Sequence, residues 1–390
     1  MKRSTLWTLR VLLLGLSLIL SLAAAEWLAR RAESWSHLDA TAADYGDTWA
    51  PSPTLGPGGF LKPSFEGQVV DGLGGTVTWK NNSQGFRNVK EFARQPPTGT
   101  LRILSLGDSF AVGYRIGQDH TYSRLLQNWA SREMGSTEVL VACTETTFHA
   151  HRYLRDYGMA WNPHLVLLEI TLGNDIFEDY AVLHPEPVGF SHGLEKLIFP
   201  SKHRSPEPSF KWPQSALVRL ALGDDPGIGS WYSGQLRLFD PVNGLGLFPK
   251  EPPPQIALAY ERHFKVLSML EELFRGSPVG LVIVLAPQRF QVQDRDWSRT
   301  VSRYRLRRDH FDLMKPNQLI LGECRRLKLT CWDPTSSMKA FHRQRSQDLY
   351  LPRGDMHWNP AGHRAFYEAL KPHLAPLLRE LHQNLDQPAR

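Results

Sequence analysis

Short, nearly uninterrupted aliphatic runs constrain this chain more than any other feature. Ile103-Leu104-Ser105-Leu106, Val139-Leu140-Val141-Ala142 and Leu165-Val166-Leu167-Leu168 carry little of the apolar–polar alternation of a strand with one wet face. Between them, apolar residues recur at helical spacing: Tyr122, Leu125, Leu126 and Trp129 within Thr121 to Arg132, then a second stretch over Ala150 to Ala160. Strand, helix, strand, helix, strand with fully apolar strands specifies a parallel sheet covered on both faces. The pattern resumes later. Gln255 to Phe274 reads as an amphipathic helix and Gly280 to Pro287 as a buried strand that Pro287 ends. Pro316 to Leu327 reads as a helix, and Leu329 to Trp332 as a short last strand. Asn359 as N-cap and Pro360 at the first helical position start a final helix that runs to about His382.

The flanking segments divide the chain further. Lys2, Arg3 and Arg10 precede an apolar run from Val11 to Ala25, the layout of an export signal. Residues 1–31 are therefore either a cleaved signal peptide or a short membrane anchor, and both readings place the remainder outside the cytoplasm. Residues 32–99 form an extension rich in Gly, Pro and Trp, with a small strand around Gly75 to Trp79 and a turn at Asn82 to Asn88 holding Phe86 and Arg87. The main domain spans 100–382 and is interrupted by 181–254, where prolines, glycines and aromatics scatter without period; 383–390 is a tail. That insertion reads either as a wall offering aromatic platforms to a substrate or as surface decoration. The net charge of +6 is spread out, so nucleic acid is not an expected partner. Among the 3 cysteines, Cys324 and Cys331 form a pair in an oxidising compartment, with Cys143 left over; three reduced thiols is the competing reading.

The chemistry-bearing residues sit at element boundaries. Gly107-Asp108-Ser109 breaks the first strand abruptly, and Gly107 makes the turn cheap because it lacks a Cβ. A hydroxyl held just past a strand end is reachable by substrate. Serine needs an imidazole to take its proton and a carboxylate to orient that imidazole. Of the 15 histidines, His357 has a carboxylate, Asp355, placed closely beside it in a boundary loop. His363, on the helix after Pro360, reads as a packing residue. A developing oxyanion needs donors: the Ser109 N–H is one, and Asn174, in Gly173-Asn174-Asp175 at the end of the third strand, is another. No Walker-type loop, dinucleotide fingerprint or H-E-x-x-H pair is present, no residues have metal-ligand spacing, and no cofactor is expected.

These blocks resemble the SGNH hydrolases, the GDSL esterase/lipase superfamily. Leu106-Gly107-Asp108-Ser109-Phe110 looks like the nucleophile block, Gly173-Asn174-Asp175 like the block carrying the oxyanion asparagine, and Asp355 with His357 like the last block. The resemblance covers Leu101 to Leu378, and Gly85-Phe86-Arg87 with the export segment is similar to a bacterial envelope branch. It implies an α/β fold, a three-layer α/β/α sandwich around a parallel sheet of about five strands. It also implies a Ser109, His357, Asp355 mechanism. Two positions depart from the family pattern. Where a glycine N–H normally joins the oxyanion hole, the chain has Thr147; and one residue, Met356, separates Asp355 from His357 where two are usual. The second departure is similar to alginate acetyltransferase-like proteins. The function expected is hydrolysis of small acyl esters, such as acetyl on a glycan, in the cell envelope. Acyl transfer to an exported polysaccharide and glycan binding without catalysis are the alternatives.

Overall fold

The computed structural model describes residues 49–52, 56–183, 244–252, 254–304, 306–352 and 355–385, with scattered positions between 7 and 27. Two antiparallel hairpins come first: β1 (Trp49–Ser52) with β2 (Gly56–Leu61), and β3 (Glu66–Val70) with β4 (Thr76–Lys80). The central sheet follows, made of β5 (Leu101–Gly107), β6 (Thr137–Cys143), β7 (Leu165–Thr171), β8 (Gly280–Ala286) and β9 (Thr330–Trp332). Its order is β6-β5-β7-β8-β9, and every pairing is parallel. This is the expected five-stranded α/β sandwich.

The aliphatic runs are uninterrupted because both faces are buried. Leu104, Leu106, Leu140, Ala142, Val166, Leu168, Ile283 and Leu285 face one core, with helices Thr147–Asp156, Pro254–Phe274 and Lys315–Leu327. Ile103, Val139, Val141, Leu165, Leu167, Val282 and Val284 face the other, with helices Tyr122–Glu133, Thr335–Arg345 and Pro360–Leu385. Each fully buried aliphatic side chain contributes about 1.5–3 kcal/mol over an exposed one. Cys324 and Cys331 form a disulfide that ties the edge strand β9 to the helix before it, and Cys143 is free and buried.

The extension beyond the hairpins packs into both cores. Phe86 meets Phe92 and Trp161 edge-on, with ring centroids 5.8 and 5.1 Å away. Arg87 is buried, stacks on Trp79 at 3.5 Å, and donates hydrogen bonds to the carbonyls of Val112, Gly113 and Ile116.

Several boundaries differ from the sequence reading. The helix expected over 150–160 begins at Thr147, because Thr146 Oγ1 accepts the His149 N–H at 3.1 Å and caps it. It ends at Asp156, and a tighter turn, Gly158–Trp161, follows. Helices Asp294–Tyr304 and Thr335–Arg345 were not expected. Of the stretch assigned to the insertion, 184–243 lies outside the described residues, while Leu245, Leu247 and Phe248 are fully buried core. The last helix reaches Leu385, into the expected tail. Most of 1–31 also lies outside the described residues; among those described, no helix is long and apolar enough to cross a membrane.

Candidate active site

Sheet order assembles the site. β5 lies between β6 and β7, so the turn after β5 that carries Ser109 is flanked by the turns that carry Thr147 and Asn174. Gly107 ends β5 where no side chain fits: a Cβ there would lie 2.6 Å from Glu169 Oε2 and 2.8 Å from Ala111 Cβ. Asp108 caps the short helix Ser109–Val112, its Oδ1 accepting the Phe110 N–H at 2.8 Å. The cap is thus the aspartate, which leaves the half-buried Ser109 hydroxyl uncommitted to the backbone. As first residue of the helix, Ser109 has an N–H with no intrahelical acceptor.

The serine hydroxyl meets the imidazole. Ser109 Oγ lies 2.8 Å from His357 Nε2, and His357 Nδ1 lies 2.6 Å from Asp355 Oδ1. The same carboxylate oxygen accepts the His357 N–H at 2.9 Å, which is how a spacing of one residue suffices. With Nδ1–H donated to Asp355, Nε2 is left as an acceptor for the serine proton. Burial pushes the Asp355 carboxyl up, but the His357 ring, its two hydrogen bonds and the Arg115 charge outweigh burial and hold it below the usual carboxylate range. Arg289 secures the loop by donating to the Asp355 carbonyl at 2.7 Å.

The ring itself is clamped. Phe110 and Tyr114 lie 5.0 and 4.2 Å from the His357 ring, both tilted by 35°. Trp358 packs on Phe110 edge-on at 4.8 Å. Such aromatic contacts contribute about 0.5–1.5 kcal/mol each beyond their buried area. His363 plays the packing part expected of it. It is buried and stacked on Tyr122, and burial with the Arg87 charge pushes it down to about 3.

The other flank is acidic. Asn174 Nδ2 donates to Asp108 Oδ2 at 3.1 Å and to Glu178 Oε2 at 3.2 Å. It sits against the residue before Ser109, with its amide hydrogens on carboxylates. Thr147 is the first residue of its helix, so its N–H is also free of an intrahelical acceptor. Its hydroxyl turns to Asp175 Oδ2 at 3.5 Å, which also accepts the Thr171 N–H at 3.0 Å. Asp179 accepts the Phe148 N–H at 2.8 Å and pairs with the buried His263 at 2.8 Å, fixing the same helix start. Glu169 accepts from Thr171 Oγ1 at 2.8 Å, and its other oxygen is buried without a partner. Burial, then the Asp108 charge, pushes Glu169 and Asp175 well up and Glu178 up to about 8. Burial likewise raises Asp108, though the Phe110 N–H, Asn174 and His357 oppose it.

Sequence reasoning missed the Phe110–Tyr114 clamp and most of this acidic layer. Glu169 carried a signal: it is a carboxylate inside an otherwise aliphatic strand. Among the described residues, no group of three or more His, Cys, Asp or Glu is arranged to hold a metal ion.

The parallel sheet, with Ser109 and Asn174 just past strand ends and Asp355 and His357 in the loop before the last helix, agrees with the SGNH hydrolase resemblance. No protein-family profile matches the chain, and no curated protein matches it in sequence. Solved structures do align. An acetyl xylan esterase, AlAXEase, matches at TM-score 0.40 and 11% identity over 70% of this chain and 100% of its own. Axe2, an acetylxylan esterase from Geobacillus stearothermophilus, matches at TM-score 0.38 and 12% identity over 70% and 94%. The psychrotrophic esterase EstA from Pseudoalteromonas sp. matches at TM-score 0.36 and 12% identity over 71% and 98%.

Proposed function

We propose that this protein is a serine ester hydrolase of the SGNH type that removes small acyl groups, acetyl above all, from a glycan or related alcohol. The observation that carries the reading is the continuous relay from Ser109 Oγ through His357 to Asp355, at 2.8 and 2.6 Å. Ser109 attacks the ester carbonyl as its proton passes to His357 Nε2. The tetrahedral intermediate collapses, and His357 returns that proton to the departing alcohol oxygen. Water then repeats the sequence on the acyl-serine, releasing the acid. Asp355 holds the imidazole tautomer and stabilises the imidazolium. The N–H groups of Ser109 and Thr147 serve the oxyanion, and the Asn174 amide joins them by turning one hydrogen away from Asp108 or Glu178. With its hydroxyl turned to Asp175, Thr147 keeps the N–H that a glycine would present.

An extracytoplasmic setting accompanies this reading. The basic-flanked apolar run at the N-terminus supports it, and so does the Cys324–Cys331 disulfide, since such bonds persist in oxidising compartments. Recovery of the native protein solely from the cytosol would overturn that placement.

The mechanism is tested with a chromogenic acetyl ester and the Ser109→Ala variant. The expected result is a fall in kcat of at least about 10⁴-fold. Equal rates for the two proteins would overturn the serine mechanism.

A further inference from the structure

Arg115 stands in a place that local backbone physics disfavours. Its φ is 55°, in the left-handed region, where a residue with a Cβ is strained and glycine is not. Gly113 and Gly117 lie two residues to either side, so glycine is in use throughout this turn, yet this position holds an arginine. A strained backbone that retains a long charged side chain points to a role for that side chain.

The guanidinium sits over the Tyr114 ring at 4.9 Å, and that ring lies 4.2 Å from His357. The Tyr114 ring therefore touches both the guanidinium and the imidazole of the base. Arg115 is half-buried and, among the described residues, its guanidinium makes no hydrogen bond and no ion pair. Its charge is felt at Asp355, but no carboxylate contact neutralises it. Other arginines in and around the core are committed. Arg87 binds three carbonyls, Arg102 binds Glu138 at 2.7 Å, and Arg289 binds Asp296 at 3.1 Å. A half-buried guanidinium with open donors beside a reaction centre is a ready partner for a planar or tetrahedral anion.

The contact of Tyr114 with His357 also sets which part of the ester this guanidinium meets. His357 hands its proton to the departing alcohol, so the wall built on its ring borders the alcohol side of the scissile bond. We propose that Arg115 is an anion-binding residue that selects esters whose alcohol part carries a negative charge, such as a carboxylate or a sulfo group. This rests on the ester hydrolase reading above.

Three acetyl esters test it with the full chain: those of 4-hydroxybenzoate, 4-hydroxybenzenesulfonate and the neutral 4-hydroxybenzamide. Each variant is scored by its ratio of kcat/KM on an anionic ester to that on the neutral one, so intrinsic leaving-group reactivity cancels between variants. Arg115→Gly is expected to lower the ratio about tenfold, and Arg115→Lys to keep part of it. Added salt lowers the ratio in the parent protein and not in Arg115→Gly. Glycine adopts φ 55° without strain, so the melting temperature of Arg115→Gly does not fall. The two anionic esters separate planar from tetrahedral recognition. An unchanged ratio in a folded Arg115→Gly protein overturns the inference. Ser109→Ala retaining full activity on all three esters overturns instead the hydrolase reading beneath it.

Discussion

The two flanks of Ser109 are built on opposite electrostatics. On the His357 side, a carboxylate is held ionised by the imidazole it serves and by a nearby guanidinium. On the Asn174 side, Asp108, Glu169, Asp175 and Glu178 crowd together in a buried layer, where burial raises all four and the Asp108 charge further favours the protonated forms of the other three. The first flank comes almost entirely from one loop and the segment just after the serine. The second is assembled from the ends of strands that meet through the sheet. Charge is stabilised by partners on one side and avoided by proton retention on the other. A base must be ready to carry positive charge, whereas carboxyls that hold their protons bring less negative charge to the oxyanion side.

Breaking the ionised flank has the largest expected effect. Asp355→Asn leaves the imidazole in the wrong tautomer, and kcat should fall about 10⁴-fold. Steady-state kinetics on an acetyl ester, with circular dichroism to confirm folding, measures it. Retention of more than about a tenth of the activity would show that Asp355 is dispensable.

Breaking the acidic flank costs less. Asn174→Ala should lower kcat by about 10²–10³-fold, the usual weight of one oxyanion donor. A fall below about threefold would assign that work to the backbone N–H groups alone.

The smallest effect sharpens the contrast through pH. Glu178 keeps its proton up to about pH 8 in the folded chain, against an ordinary value of 4.5. Between those values the folded state binds more protons than the unfolded one, so this group's stabilisation is complete below 4.5 and is lost as pH rises through about 8. Asp355 runs the other way: its contribution is present at neutral pH and is lost in acid, as pH falls below the ordinary value of 3.8. Glu178→Gln should therefore flatten the decline in melting temperature from pH 5 to 9 while leaving the acid limb alone. A parallel curve for the variant would mean that Glu178 is ionised throughout.

What was legible in the sequence follows the same divide. The five parallel strands were readable because burial on both faces leaves only aliphatic residues. Ser109, Asp355 and His357 were readable because each sits at an element boundary where turn chemistry and reactive groups coincide. Helix Asp294–Tyr304 was not, because arginines and aspartates dominate it and Trp297 and Val301 give too thin an apolar stripe. The acidic layer was not readable either. Asp108, Glu169 and Glu178 meet through strand pairing and helix packing, and no local pattern announces which carboxylates will share a buried space. The orientation of Thr147 was hidden for the same reason, since its partner Asp175 lies on the far side of β5 in the sheet.

Arg87 bears on how the molecule can be divided. Its guanidinium satisfies three main-chain carbonyls in the segment that follows the nucleophile, although it lies well before the first strand of the sheet. A minimal fragment beginning at Leu101 would contain every residue of the relay and still strand those oxygens away from water. Autonomy here is a property of the longer piece: the hydrolase-like segment delimited by motif is not the segment that can be cut out and kept.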